Sequence, residues 1–384
     1  MTKNNSYDAA VVGAGVFGAW TALCLRRTGQ RVALLDAYGP ANARASSGGE
    51  SRLIRMAYGA DELYTRWSVR SLAVWKEFFA RTGKPLFYQT GILWIANAQD
   101  AQAMASRETL ERVGVRHEVL NRRELEKRFP QIGFGQASWG IFEPESGVLL
   151  ARRAVAAVVE AAIAEGVDYF QEFVSTPAGA GKLARIQTSA NREIRAGEFV
   201  FACGPWLGKV FPKLLDERIF VTRQEVYFFG VPAGDQRFAP PALPGWLFQE
   251  DLTYGVPDLE SRGFKIALDR HGPSFDPDTQ ARVPTADGIT EMRAYLAARF
   301  PALAEAPLVE ARVCQYENTS NGDFLVDRHP EHENVWLVGG GSGHGFKHGP
   351  AMGEHVAGRL AGTVPAEARF SLASKETVQR RKVY

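Results

Sequence analysis

The chain has 384 residues, 45% of them hydrophobic, which is more than one compact core usually holds, so two interleaved domains are expected. Lys and Arg number 45 against 43 Asp and Glu, and the net charge of +2 is too small a field to attract nucleic acid or anionic lipid, leaving a small molecule as the expected partner. Three widely spaced cysteines, Cys24, Cys203 and Cys314, exclude a disulfide framework and a Cys-x-x-Cys metal site and fit a reducing cytoplasm.

Met1 to Ser6 runs into a strand pattern with no charged-then-apolar leader, and no apolar run approaches the roughly 20 residues of a membrane span. A cytoplasmic protein without a membrane partner is expected. Residues 7–12 form a short apolar strand, Gly13-Ala14-Gly15-Val16-Phe17-Gly18 a glycine loop, and residues 19–27 a helix closed near Gln30. Val32-Ala33-Leu34-Leu35 is a second buried-type strand ending at Asp36, and this alternation indicates a parallel sheet. Residues 58–83 read as a long amphipathic helix, with Trp67, Leu72, Trp75 and Phe79 near helical spacing as core. Around residues 85–96 and 221–231 the period shortens towards two, as in strands of a second, more antiparallel sheet where substrate recognition is expected. Residues 149–164 are helical, 198–202 a strand, and 335–338 a late strand entering another glycine-rich loop.

In the first loop, Gly13 permits the tight turn, Gly15 lets backbone N–H groups approach a pyrophosphate, and Gly18 allows close packing of helix on strand. Asp36 ends the next strand, where a carboxylate accepts hydrogen bonds from ribose hydroxyls and disfavours a 2′-phosphate. Strand, loop, helix, strand and acid in register indicate an adenine dinucleotide. The loop alone does not separate FAD from NAD.

Three later segments bear on that choice: residues 51–59 (SRLIRMAYG), residues 141–149 (IFEPESGVL) and residues 341–347 (GSGHGFK). With Val313-Cys314-Gln315-Tyr316 between them, the chain resembles, end to end, the monomeric sarcosine oxidase family of D-amino-acid-oxidase-like flavoenzymes. The resemblance implies an α/β architecture: a Rossmann-type FAD-binding domain (residues 1–85, 146–215 and 306–384) with an interleaved substrate-binding domain (86–145 and 216–305) on a mostly antiparallel sheet. It implies FAD, carried covalently as a thioether on Cys314, a step open to a thiolate nucleophile. Cys24 and Cys203 read as small buried hydrophobes.

The same resemblance implies that Arg52 lies near the flavin, that Arg55 and Lys347 bind a substrate carboxylate, that Lys265 activates O2, and that Tyr254 and Tyr316 surround the substrate. Guanidinium suits a carboxylate bidentately, and a fixed cation stabilises the anion that develops as O2 is reduced. Without the resemblance, the arginines read as a solvated helix face, Lys347 as a surface lysine, and Lys265 as an edge-strand lysine. Further cofactor contacts are expected at Ala37, Ser46, Ser47, Leu53, Val174, Ala202, Gly204, Trp206, Gly343, Gly345, Phe346 and Lys347, beside Gly13, Gly15, Val16, Phe17, Gly18 and Asp36.

Two positions depart from the family. Asp269 stands at its active-site histidine, with His271 two residues on, and Ser47-Gly48 stand where the family has a histidine in the loop before Arg52. Replacing imidazole by carboxylate changes charge and reach. The implied activity is a monomeric oxidase of a secondary amino acid, N-methyl or cyclic, that passes a hydride to flavin N5 and reduces O2 to H2O2. A dehydrogenase with another electron acceptor and an NAD-dependent dehydrogenase are the alternatives. No His-x-x-x-His or acidic cluster suggests a metal.

Overall fold

The strand Ser6–Val12 occupies the centre of a seven-stranded sheet in the computed structural model, which describes residues 6–380. The expectation for the leaderless start at Met1–Asn5 lies outside the described residues. The sheet runs Leu325–Arg328, Val335–Gly339, Glu193–Phe201, Ser6–Val12, Val32–Leu35, Asp168–Phe170, with Arg185–Gln187 antiparallel on Glu193–Phe201 as the seventh strand, and the four pairings from Val335–Gly339 to Asp168–Phe170 are parallel. Val12 lies beside Leu35 and Phe201, so three strands end together beneath the glycine loop. Such a crevice outside the carboxyl ends of parallel strands is where this class of sheet binds nucleotides.

One face of this sheet is covered by helices Val16–Arg27, Ala151–Ala164 and Gly349–Leu360. A Cβ on Gly353 would lie 2.7 Å from the backbone of Trp20, so only glycine lets the last helix cross the first this closely. Trp20 meets Trp75 edge to face at 5.0 Å, which fixes the helix Glu62–Thr82 on the same layer. That helix starts later than its periodicity suggests because Tyr58 and Ala60 form a β-bridge, and the Asp61 carboxylate then caps it by accepting from the Tyr64 N–H. Gly83, left-handed at φ 66°, ends it. Leu72, Trp75 and Phe79 are buried as expected, while Trp67 is half-buried.

The second sheet has eight strands, ordered Leu308–Asn318, Phe220–Phe229, Phe264–Leu268, Thr253–Val256, Gly245–Phe248, Ile92–Ala96, Trp139–Glu143, Glu118–Asn121. All its pairings are antiparallel except that between Gly245–Phe248 and Ile92–Ala96. Trp246, Phe264 and Phe300 pack one face beneath the helix Ala286–Arg299.

One expectation changes. Residues 306–384 were assigned to the nucleotide unit, yet Leu308–Asn318 pairs along its length with Phe220–Phe229 in the second sheet. The chain rejoins the first sheet only at Leu325. Alternation within a single strand does not say which of two sheets it joins. The edge-strand reading of Lys265 also fails, because Phe264–Leu268 is interior to its sheet. Among the described residues, no helix is long and apolar enough to cross a membrane.

Candidate active site

The glycine loop follows directly from the parallel strands. Gly13 has φ +105° and packs so tightly that a Cβ would lie 2.2 Å from the Ala202 carbonyl oxygen, while a Cβ on Gly18 would lie 1.8 Å from the carbonyl oxygen of Gly13. Gly18 therefore acts in packing the helix on the loop. The Asp36 carboxylate accepts from the N–H groups of Ala14 at 2.8 Å and Tyr38 at 2.9 Å, tying strand end to loop, and burial raises its carboxyl above the ordinary range. Ser47 Oγ accepts from Val16 N–H at 3.1 Å.

A cavity of about 300 Å³ starts at this loop and runs to Cys314. Of the residues expected to contact a cofactor, all except Gly18, Leu53 and Lys347 line it, and the last two line a neighbouring cavity of about 390 Å³. The fit to an adenine dinucleotide rests on the residues themselves. The lining includes the Asp36 carboxylate, the N-terminus of the helix Val16–Arg27, and the Cys314 thiol with the backbone of Gly343 and Gly345. A Cβ on Gly343 would meet the Tyr316 ring at 2.7 Å and one on Gly345 the Phe17 ring at 2.9 Å, so this turn packs against both rings only with glycine.

Arg52, Cys314, Tyr316, Gly343 and Phe346 line both cavities, which therefore meet at the cysteine. Arg52 donates to the carbonyls of Ser51 at 2.8 Å and Ser46 at 2.7 Å, and its Nη2 lies 3.6 Å from Cys314 Sγ. Among the described residues no arginine hydrogen-bonds to the sulfur of the other two cysteines, although the Arg27 and Arg70 charges act on Cys24. Burial pushes the Cys24 thiol up to about 12 and the Cys203 thiol higher still, which suits inert packing.

In the second cavity, Arg55 and Lys347 come together from opposite ends of the chain. Both are buried, at 5% and 4% exposure, and both stand over the ring of Tyr58, Arg55 Cζ at 4.5 Å and Lys347 Nζ at 5.0 Å from its centroid. Trp94 covers Arg55 at 4.7 Å. Arg55 donates to the Ala57 carbonyl at 2.6 Å, and Lys347 Nζ donates to the Tyr58 hydroxyl at 2.6 Å and the His344 carbonyl at 3.0 Å. Burial, followed by the Arg55 charge, holds the Lys347 ammonium well below its ordinary range. Neither cation sits on a solvated face.

Lys265 is 2% exposed, and its Nζ donates to the Ser51 carbonyl at 2.9 Å. Burial, with the Arg52 charge adding, brings it down to about 7. The Tyr254 ring lies 5.5 Å from the ammonium, and burial pushes the Tyr254 phenol up to about 12. Asp269 also lines this cavity. Its Oδ1 accepts from the Tyr316 hydroxyl at 2.8 Å; burial raises its carboxyl, while Tyr316, Arg55 and Lys347 pull the other way. His271 is not among the lining residues. It pairs with Gln379 at 2.9 Å, and burial lowers its imidazole to about 4. A Cβ on Gly48 would lie 2.0 Å from the Asn42 carbonyl oxygen, so this chain has no room for a side chain where its loop departs from the family. His344 engages Tyr58 through Nδ1 and the Gly322 carbonyl through Nε2. Among the described residues, no cluster of His, Cys, Asp and Glu could hold a metal ion.

Sequence reasoning missed the support of this site. Glu143, 1% exposed, accepts from Met56 N–H at 2.8 Å, Ala57 N–H at 3.0 Å, Trp94 Nε1 at 2.9 Å and Ser146 Oγ at 2.5 Å. It thereby fixes the backbone that carries Arg55 and the indole that covers it. Its only sequence signal was its place in the segment 141–149.

The sequence pattern of the family described as DAO, FAD dependent oxidoreductase, matches residues 8–359. The monomeric sarcosine oxidase of Bacillus sp. (strain B-0618) is 31% identical, covering 97% of this chain and 98% of its own. The chain belongs to the FAD-dependent oxidoreductases and, within them, to the monomeric sarcosine oxidase family. N-methyl-L-tryptophan oxidase of Salmonella newport (strain SL254) is 28% identical over 94% of this chain and 96% of its own. Among solved structures, the L-proline dehydrogenase from P. horikoshii superposes with a TM-score of 0.84 at 19% identity, covering 96% of this chain and 97% of that one, which establishes the shared fold. Membership makes FAD the cofactor and removes the NAD-dependent alternative.

Replacing Glu143 by Gln puts an NH2 group against backbone N–H donors and is expected to lower stability by about 1–3 kcal/mol, the penalty for a buried donor left unpaired. Denaturant unfolding of Glu143→Gln beside the exposed neighbour Glu145→Gln checks this. Equal midpoints for the two variants would show that the Arg55 segment holds itself.

Proposed function

We propose that this flavoprotein oxidises a secondary amino acid, N-methylated or cyclic, at its C–N bond to an imine and passes the electrons to O2, giving H2O2. The observation that carries this reading is the charge pattern of the second cavity. Two buried cations, Arg55 and Lys347, stand against one tyrosine ring, and the buried carboxylate of Asp269 lines the same space. An amino acid presents the complementary pair, a carboxylate and an amine.

Bound FAD supplies the two-electron acceptor. Arg55 and Lys347 grip the substrate carboxylate, and the anion restores the protonated form of Lys347 that burial disfavours. Asp269, its Oδ1 held by Tyr316, receives the amine and takes its proton, leaving the nitrogen lone pair free. Tyr254 closes the wall beside Lys265. Lys265 is the fixed cation for the negative charge that develops on O2, and its interior strand position keeps it from relaxing towards water. Cys314 holds the cofactor covalently; its place where the two cavities meet, with Arg52 beside the sulfur, supports this assignment. The relatives named for sarcosine and N-methyl-L-tryptophan support a secondary amine. Asp269 and the side-chain-free Gly48 alter the amine side, which favours a bulkier or cyclic substrate than sarcosine.

With the preferred amino acid, Arg55→Ala and Lys347→Ala are each expected to raise KM about ten- to a hundredfold, the worth of a hydrogen bond to a charged group. Oxidation rates followed by H2O2 release check this, and unchanged KM in both variants would remove the carboxylate clamp. Acid precipitation of the wild type is expected to leave the yellow colour in the pellet and that of Cys314→Ser to release it. A colourless wild-type pellet would refute covalent attachment.

A further inference from the structure

Tyr58 touches the two cations of the carboxylate clamp in different ways. Its ring face lies beneath Arg55, and its hydroxyl accepts from Lys347 Nζ at 2.6 Å. Both Tyr58 and His348, the residue after Lys347, are buried. His348 Nε2 lies 2.8 Å from the same hydroxyl and His344 Nδ1 3.2 Å from it, so the phenol is held among the ammonium and two imidazoles. On the other side of the turn, the Trp75 indole donates to the Lys347 carbonyl at 3.1 Å and fixes the backbone from which the lysine side chain starts.

An ammonium carries three N–H groups in tetrahedral directions. Lys347 places one on the Tyr58 hydroxyl and one on the His344 carbonyl at 3.0 Å, and these two bonds set the direction of the third. Both acceptors are uncharged. A carboxylate in either place would hold the lysine as firmly but would neutralise it, and a ligand anion would then compete with a partner already bound. A hydroxyl and a carbonyl orient the cation and leave its charge for the cavity that Lys347 lines. The carboxylates that act on Lys347 from other elements, Asp269 and Glu143, are engaged by Tyr316 and by the backbone after Arg55. Burial, followed by the Lys347 and Arg55 charges, holds the His348 imidazole well below its ordinary range, so it meets the hydroxyl as a neutral ring.

We propose that Tyr58, its hydroxyl held by His348, is a positioning residue that turns the third N–H of Lys347 towards the substrate carboxylate. This rests on the reading of Arg55 and Lys347 as the carboxylate clamp, and not on the oxidation or on O2. Acetate, propionate and benzoate carry a carboxylate and no oxidisable amine, and their binding to the holoenzyme is read from the perturbation of flavin absorbance. Tyr58→Phe keeps the ring beneath Arg55 and removes the hydroxyl. With the tightest binder of the three it is expected to weaken binding about tenfold, as for a lost hydrogen bond to a charged group, and His348→Phe about threefold, as for a neutral one. The Tyr58→Phe loss should vanish in a Lys347→Met background.

The pH profile of the same binding is a second readout. The clamp needs the ammonium, so carboxylate binding falls as pH rises through the titration of Lys347, and loss of an acceptor that favours the ammonium moves that fall to lower pH in Tyr58→Phe. Arg55, Asp269, Glu143, His344 and His348 face Lys347 with or without the hydroxyl and cancel in the comparison. A Tyr58→Phe loss of equal size with and without Lys347, or wild-type affinity and pH profile in Tyr58→Phe, would overturn the proposal. If Tyr58→Phe does not fold, wild-type affinity in His348→Phe overturns it. Wild-type affinity in Lys347→Met would remove the clamp itself, and the proposal with it.

Discussion

Two cations are buried against one tyrosine ring without an ion pair to either of them among the described residues, and the rest of the site is arranged around that constraint. Burial, followed by the Arg55 charge beside it, holds the Lys347 ammonium well below its ordinary range. An anion entering this cavity would meet complementary charge from both side chains. A carboxylate brings in the charge that the protein withholds, and the carboxylate the protein does supply, Asp269, is engaged by Tyr316. Desolvated, preorganised charge of this kind is what gives binding its orientation.

The fold exists to hold those groups apart from water and in register. Arg55 follows a short strand near the N-terminus and Lys347 follows the last strand of the nucleotide sheet, so their meeting depends on packing between the first and last helices, where Gly353 lies against Trp20. Glu143 reaches from the second sheet to the backbone after Arg55 and so couples that sheet to the clamp. Lys265 and Asp269 come from one strand interior to the second sheet and the residue that follows it. The two cavities thus share a wall built from both sheets, and Cys314 lines both of them.

How much of this was legible in the sequence depended on whether a residue's role is local. The glycine loop and Asp36 could be read because strand, turn, helix and acid follow one another within 36 residues and each type has a local physical reason. Lys265 was conspicuous as a charge in an apolar strand. Arg55, Lys347 and Cys314 were named only through family resemblance, since nothing in their own segments sets them apart from surface charges or a packed thiol. Glu143 stayed hidden because its partners are backbone N–H groups 86 and 87 residues away, and backbone groups carry no sequence signal. That Leu308–Asn318, expected within the nucleotide unit, pairs in the second sheet was hidden for a similar reason: pairing partners are set by topology. His271, two residues beyond Asp269, faces Gln379 instead of the cavity, a distinction that depends on where the chain turns after its strand.

If the paired cavities oxidise an amino acid by way of flavin and then react with oxygen, the flavin colour reports both steps. Anaerobic mixing of the holoenzyme with N-methyl, cyclic and primary amino acids, followed by admission of air, tests it most directly through the flavin absorbance. The account predicts bleaching by at least one secondary amino acid, no bleaching by the same amine without its carboxylate, and rapid return of the yellow colour in air with H2O2 formed. Equal bleaching by the decarboxylated amine, or return of colour no faster than that of free reduced flavin, would contradict it.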